Sequence, residues 1–151
     1  MLPLEKIICS TDFSEPSFEG LKAADELAGH FGAQVILLHA IAPMPTMPGI
    51  GAPTGFHIPP VLKDMEGKAA EELERIKAEK MNRGSDTRTM VIYGKPADEI
   101  VRIATEEKAD IIVIATHGQS GWKRLISGSV TERIVRMASC PVLAVPAPPE
   151  D

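Results

Sequence analysis

Four short runs of almost uninterrupted apolar residues constrain most what this chain can fold into. They are KIICS at 6–10, QVILLHA at 34–40, IIVIA at 111–115 and PVLAV at 141–145. A strand with one wet face alternates apolar with polar residues. KIICS and QVILLHA, apolar at nearly every position, are expected to be covered on both faces, which is the condition of a strand inside a parallel sheet, and IIVIA and PVLAV are read as further strands. A fifth segment, TRTMVIY at 87–93, does alternate and is rich in strand-favouring residues, so it is expected at a half-exposed sheet edge.

Helical periodicity fills the intervals between these runs. Phe18, Leu21, Ala24, Leu27, Ala28 and Phe31 recur at spacings of three and four and mark one buried face. Ser14 is expected to cap that helix, with Glu15 and Pro16 in its first turn and Gly32 ending it. Val61, Met65, Ala69, Leu73 and Ile76 predict a second amphipathic helix over 61–81, closed by Asn82 and Gly84. Gly94-Lys95-Pro96 turns the chain into a third helix, whose inner face is Ile100, Val101 and Ala104, and a fourth runs from Ser129 to Ala138. Strands that alternate with helices require crossover connections. The fold class is therefore α/β, with a single doubly wound parallel sheet and helices on both faces. Ligands of such sheets bind beyond the carboxyl ends of the strands, where the winding reverses.

Two segments depart from this regularity. Residues 41–60 hold six prolines and three glycines, which excludes a regular element. Met44, Met47, Ile50, Phe56 and Ile58 make the segment more apolar than a solvated linker, so it is either a packed lid or partner contact, or a mobile insertion. The other is 111–134, IIVIATHGQSGWKRLISGSVTERI, where a strand passes through Gly118, Gly121 and Gly128 into a helix. A helix start leaves N–H groups unpaired and carries partial positive charge, so it stabilises a nearby anion. Function is expected here.

Composition excludes several classes. Net charge is −5 with no basic run, and aromatic residues are 4%, so neither the electrostatic footprint nor the stacking platform of a nucleic-acid binder is present. The amino-terminal residues form neither a signal peptide nor a membrane span, and a cytoplasmic protein with no membrane partner is expected. Cys9 and Cys140 lie in apolar runs without CxxC spacing, so both are expected as buried reduced thiols. No GxxxxGK loop followed by Ser or Thr occurs. GIGAPTG has displaced glycines, Ser120 and Lys123 have SxxK spacing without companion motifs, and the four histidines lack metal-ligand spacing. No catalytic nucleophile with a partnered base can be named.

The motifs TDFSE, LLHA, GKPADEI, DIIVIATHG, then GS after nine residues, and CPVLAV together span nearly the whole chain, which resembles the universal stress protein family. The family signature for nucleotides is GxxG, nine residues, then G followed by Ser or Thr. Here Ala115-Thr116-His117-Gly118 precedes Gly128-Ser129, so Ala115 stands where the signature has its first glycine. The resemblance implies an adenine nucleotide alpha hydrolase-like sheet of order 3-2-1-4-5, a domain over 1–146 and a tail over 147–151. It also implies ATP as ligand, with Mg²⁺ or Mn²⁺ on the phosphates, although no metal-binding residue is assigned. Nucleotide-lining positions carried over are Thr11, Asp12, Ala40, Ala115, His117, Gly118, Gly128, Ser129, Val130 and Thr131. Lys123 and Arg124 either neutralise phosphate charge or face water. A homodimer through Pro141 to Val145 is implied as well. The alternatives are a dimeric interaction protein that binds no nucleotide, and a slow ATPase.

Overall fold

In the computed structural model, which describes residues 2–43, 60–116 and 129–148, strands and helices alternate as the apolar runs require. The elements are β1 (Lys6–Ser10), α1 (Ser17–Phe31), β2 (Gln34–Ile41), α2 (Pro60–Lys80), β3 (Thr87–Tyr93), α3 (Pro96–Glu106), β4 (Ile111–Ala115), α4 (Ser129–Met137) and β5 (Val142–Val145). All strand pairs are parallel, and the order across the sheet is β3-β2-β1-β4-β5. Residues 44–59 of the proline-rich segment, and His117 to Gly128 of the glycine loop, lie outside the described residues.

Strand pleating sorts the sheet's side chains into two cores. Ile7, Cys9, Val35, Leu37 and Val113 point to one face, where Leu21, Ala24 and Ala28 of α1 and Leu73 and Ile76 of α2 cover them. Their neighbours Ile8, Ile36, Leu38, Ile112 and Ile114 point to the other, beneath Ile100 and Ile103 of α3 and Ile134 of α4. Each fully buried Leu or Ile contributes roughly 1.5–3 kcal/mol, so the central strands carry the main driving force on both faces. β3 is the half-exposed edge that its alternation predicts.

Several sequence expectations shift in detail. Ser14 does not cap α1, which begins at Ser17 after Pro16 without a side-chain cap. The Ser14 hydroxyl is drawn to Asp12 Oδ1 instead, and residues 14–19 make a tight lead-in through Ser17 N–H to Ser14 O and Phe18 N–H to Glu15 O. On α2 only Ala69, Leu73 and Ile76 are buried, while Val61 and Met65 are 49% and 36% exposed. The first half of that helix stands across a hollow of about 240 Å³ lined by Ile41, Leu62, Glu66, Val91, Ile92 and Tyr93. Periodicity marks the apolar stripe of a helix but not where its cover ends. In α3, Ile100 and Ala104 are buried as expected, together with Ala97 and Ile103, while Val101 is only half-buried. Cys9 is buried as expected, and burial pushes its thiol up to about 12, whereas Cys140 is only half-buried.

Two glycines let helices and turns close on the sheet. A Cβ on Gly20 of α1 would lie 3.0 Å from the Ala115 backbone nitrogen and 3.7 Å from the Ala115 methyl, so α1 crosses the end of β4 at glycine distance. Gly94, at φ +146°, donates its N–H to Ile41 O at 3.0 Å, and a Cβ there would meet Glu99 Cγ at 2.6 Å.

At the amino ends of the strands, polar contacts fix β1 to β4. Asp110 Oδ2 accepts the N–H groups of Glu5 and Lys6 at 2.8 and 2.9 Å, and Glu107 pairs with Lys6 and Arg88. Backbone hydrogen bonds from Glu5 and Lys6 hold the Asp110 carboxyl below its ordinary 3.8. Arg88 and then Lys6 hold Glu107 below 4.5. A carboxyl depressed in the folded state lends stability that is complete above its ordinary value and is lost as pH falls through the folded-state value. Asp110→Asn is therefore expected to lower the Tm at neutral pH and to shrink the fall in Tm between neutral and strongly acidic buffer, followed by circular dichroism. A fall equal to that of wild type would refute the assignment. Gly20→Val is expected to cost about 1–3 kcal/mol in urea denaturation, because α1 must lift from β4; an unchanged midpoint would show that the close approach is dispensable.

Candidate functional site

The carboxyl ends of β1 and β4 lie side by side at the centre of the sheet, in register from Ile7 opposite Ile111 to Cys9 opposite Val113. From β1 the chain turns back into α1 on one face, and from β4 it continues towards α4 on the other. The winding reverses between these two strands, so their ends flank a crevice. Thr11 and Asp12 follow β1 directly, Ala40 is near the end of β2, Ala115 ends β4, and Ser129, Val130 and Thr131 open α4. Of the residues singled out from sequence, these seven are brought to the carboxyl edge of the sheet. His117, Gly118 and Gly128, with Lys123 and Arg124, lie outside the described residues.

The start of α4 is held from two directions. Ile134 is fully buried in the second core, and Arg133 Nε donates to Asp98 Oδ1 of α3 at 2.7 Å. Thr131 Oγ1 lies 3.5 Å from Ala115 O, which places the first turn of the helix over the end of β4. Ser129 is exposed there. That first turn carries the unpaired N–H groups and positive end of the helix dipole that attract an anion.

Ala115 does not disturb this side. Ile112 and Ile114 point towards α3 and α4, so the pleat sends the Ala115 methyl to the α1 face, where it rests beside Gly20. The residue is not among those with positive φ, so the strand end has no conformational need for glycine at this position. The added carbon is accommodated by a glycine on the neighbouring helix.

The turn after β1 is dense with hydrogen bonds. Ser17 Oγ donates its one proton to Ser14 O at 2.6 Å, so the 2.7 Å bond between Ser17 Oγ and Thr11 Oγ1 is donated by Thr11. Thr11 Oγ1 in turn accepts the Phe13 N–H at 3.0 Å. With that side chain 5% exposed and its proton committed, Thr11 shapes the turn. Asp12 Oδ1 accepts the Ser14 N–H at 3.0 Å and the Ser14 hydroxyl. Phe13 is in the left-handed region at φ 68°, a conformation costing roughly 1 kcal/mol outside glycine. Its ring stacks on His39, centroids 4.1 Å apart, and His39 Nδ1 lies 2.8 Å from Thr11 O. Phe13, Ser17 and His39 were not singled out from sequence. The available signal was a histidine near the end of an otherwise apolar run.

No group of three His, Cys, Asp or Glu among the described residues is arranged to hold a metal ion. A hard divalent cation at this edge would take most of its oxygen ligands from bound phosphates and water, with one carboxylate such as Asp12 at hand. No helix among the described residues is long and apolar enough to cross a membrane.

The model of the universal stress protein family matches residues 3–146 of the chain. The chain belongs to the universal stress protein family. Among relatives of this universal stress protein, MJ0531 of Methanocaldococcus jannaschii is 35% identical over 147 residues, covering 97% of this chain and 85% of the relative. Universal stress protein MJ0577 of the same organism is 31% identical, covering 93% and 94%. The solved structure of MJ0577 superposes with a TM-score of 0.75 at 29% identity over 97% of this chain and 99% of that one. The universal stress protein of Archaeoglobus fulgidus in complex with dAMP shares the fold, at a TM-score of 0.64 and 20% identity, covering 96% and 99%. The five-stranded parallel sheet of order 3-2-1-4-5 with helices on both sides is the architecture common to them.

Proposed function

We propose that this universal stress protein is an ATP-binding module of stress response or signalling. In this reading the triphosphate sits at the start of α4, Mg²⁺ or Mn²⁺ is carried on the phosphates, and the Asp12 turn lies on the facing side. The observation that carries the reading is that the first turn of α4 lies over the end of β4, and that the acidic turn follows β1, the strand paired beside it. Ser129 to Thr131 supply an anion site, and Asp12 supplies an acceptor for a ribose hydroxyl or a metal-bound water. Ala40, at the end of β2, gives backbone for the base. The remaining spacing, from Ala115 through Gly118 to Gly128-Ser129, fits the family's nucleotide signature in all but its first position. The methyl at that position faces α1, so it leaves the phosphate side open. That a protein of this fold has been solved with dAMP fits the same reading.

The reading extends to a homodimer formed through β5. Among the described residues this strand pairs only with β4, so its outer backbone edge is offered to a second copy, and Leu143 is 38% exposed. Pairing two copies across a twofold axis would cover both.

Isothermal titration with ATP and Mg²⁺ is expected to show one site per chain, and mass spectrometry of the gently purified protein to release ATP; released ADP would instead indicate slow hydrolysis. Ser129→Asp is expected to weaken ATP at least about tenfold, because a carboxylate would face the phosphates while still favouring the helix start. Ala115→Gly is expected to leave affinity within about twofold, since that methyl points to α1. No heat with ATP and no nucleotide in the purified wild type would overturn the reading. Light scattering is expected to give twice the chain mass, reduced to the monomer by Leu143→Arg; a monomeric wild type would refute the dimer.

A further inference from the structure

We propose that His39 is a positioning residue for the nucleotide site, one that acts through the Thr11 carbonyl from the far side of the sheet. The proposal rests on the reading of this edge as an ATP site. His39 is near the end of β2, and Leu37, two residues earlier, belongs to the core under α1 and α2. Its ring follows that pleat and stacks on Phe13, which packs against the same core, whereas Ala40 belongs with the opposite core. The imidazole therefore lies behind the turn, away from the start of α4.

What it holds there is specific. Thr11 O lies one residue past the end of β1, where the ladder is running out: Thr11 N–H still reaches Leu38 O at 3.0 Å. A carbonyl only accepts, so the 2.8 Å contact fixes the His39 proton on Nδ1. The residues that follow are costly to hold. Phe13 has a left-handed backbone, and Asp12 must present its carboxylate from a two-residue turn onto Ser14. A turn with one left-handed residue persists only if its surroundings over-determine it. Here the carbonyl before Asp12 is fixed by the imidazole, and the residue after Asp12 is fixed by stacking on the same ring. One side chain thus clamps both flanks of the carboxylate proposed to face the ribose or the metal-bound water.

The test compares His39→Leu with His39→Asn, whose side-chain amide nitrogen is as many bonds from Cβ as Nδ1 and restores the donor without the ring. Both variants are measured for ATP affinity by calorimetry, for Tm, and for the amide resonances of Asp12, Phe13 and Ser14 by NMR. His39→Leu is expected to weaken ATP about tenfold, the worth of one buried hydrogen bond, and to shift those three resonances. His39→Asn is expected to recover most of the affinity and move the resonances back towards wild type. Wild-type affinity in His39→Leu, or equal losses of affinity in both variants that follow Tm alone, would overturn the positioning role while leaving the ATP reading intact. Failure of wild type to bind ATP would instead remove the reading, and this role with it.

Discussion

Parallel pairing of β1 with β4 is the arrangement on which the rest of the molecule depends. These strands are far apart in sequence, and three helices and two strands must be wound before they can meet. Once they do, β1 has a neighbour on each side and its apolar residues Ile7, Ile8 and Cys9 are fully buried on both faces. The same pairing sends the two outgoing connections in opposite directions. A gap at the carboxyl edge follows from the winding itself, with the turn after β1 on one side and the first turn of α4 over the end of β4.

That edge is assembled by contacts that reach through the sheet. On one face, Gly20 lets α1 approach until it meets the backbone of Ala115, and this close packing receives the Ala115 methyl. On the other, α4 is pinned by buried Ile134 and by the Arg133–Asp98 pair, so its first turn lies over the Ala115 carbonyl. Behind the β1 turn, His39 and Phe13 brace the Thr11 carbonyl and the left-handed backbone. Side chains that would contact a ligand are in this way held by others that would not. At the opposite edge of the sheet, Asp110 and Glu107 anchor the strand starts, which leaves the carboxyl edge free of that structural duty.

Much of this was legible in the residues. The apolar runs predicted four strands, of which β1, β2 and β4 are interior while β5 is a partly exposed second edge; the alternation in TRTMVIY predicted the other edge, and crossover requirements made the sheet parallel. Helix bounds failed where local chemistry was ambiguous. Ser14 looked like a cap because serine before an acidic residue and a proline usually is one, but Asp12 two residues earlier competed for its hydroxyl. Val61 and Met65 shared the stripe of Ala69, Leu73 and Ile76, yet a periodic pattern does not say whether a partner lies opposite.

By itself the sequence determined the element order, the strands buried on both faces and the family, because these rest on periodicity, steric limits and motif spacing that are local along the chain. Only the tertiary structure decided which way the Ala115 methyl points, which hydroxyl in the β1 turn donates to which, and that His39 stands behind that turn. Each of those depends on residues brought together across different strands and helices. Pleating sends neighbouring side chains to opposite faces, so a contact such as that of Ala115 with Gly20 exists only after the sheet and its helices have packed.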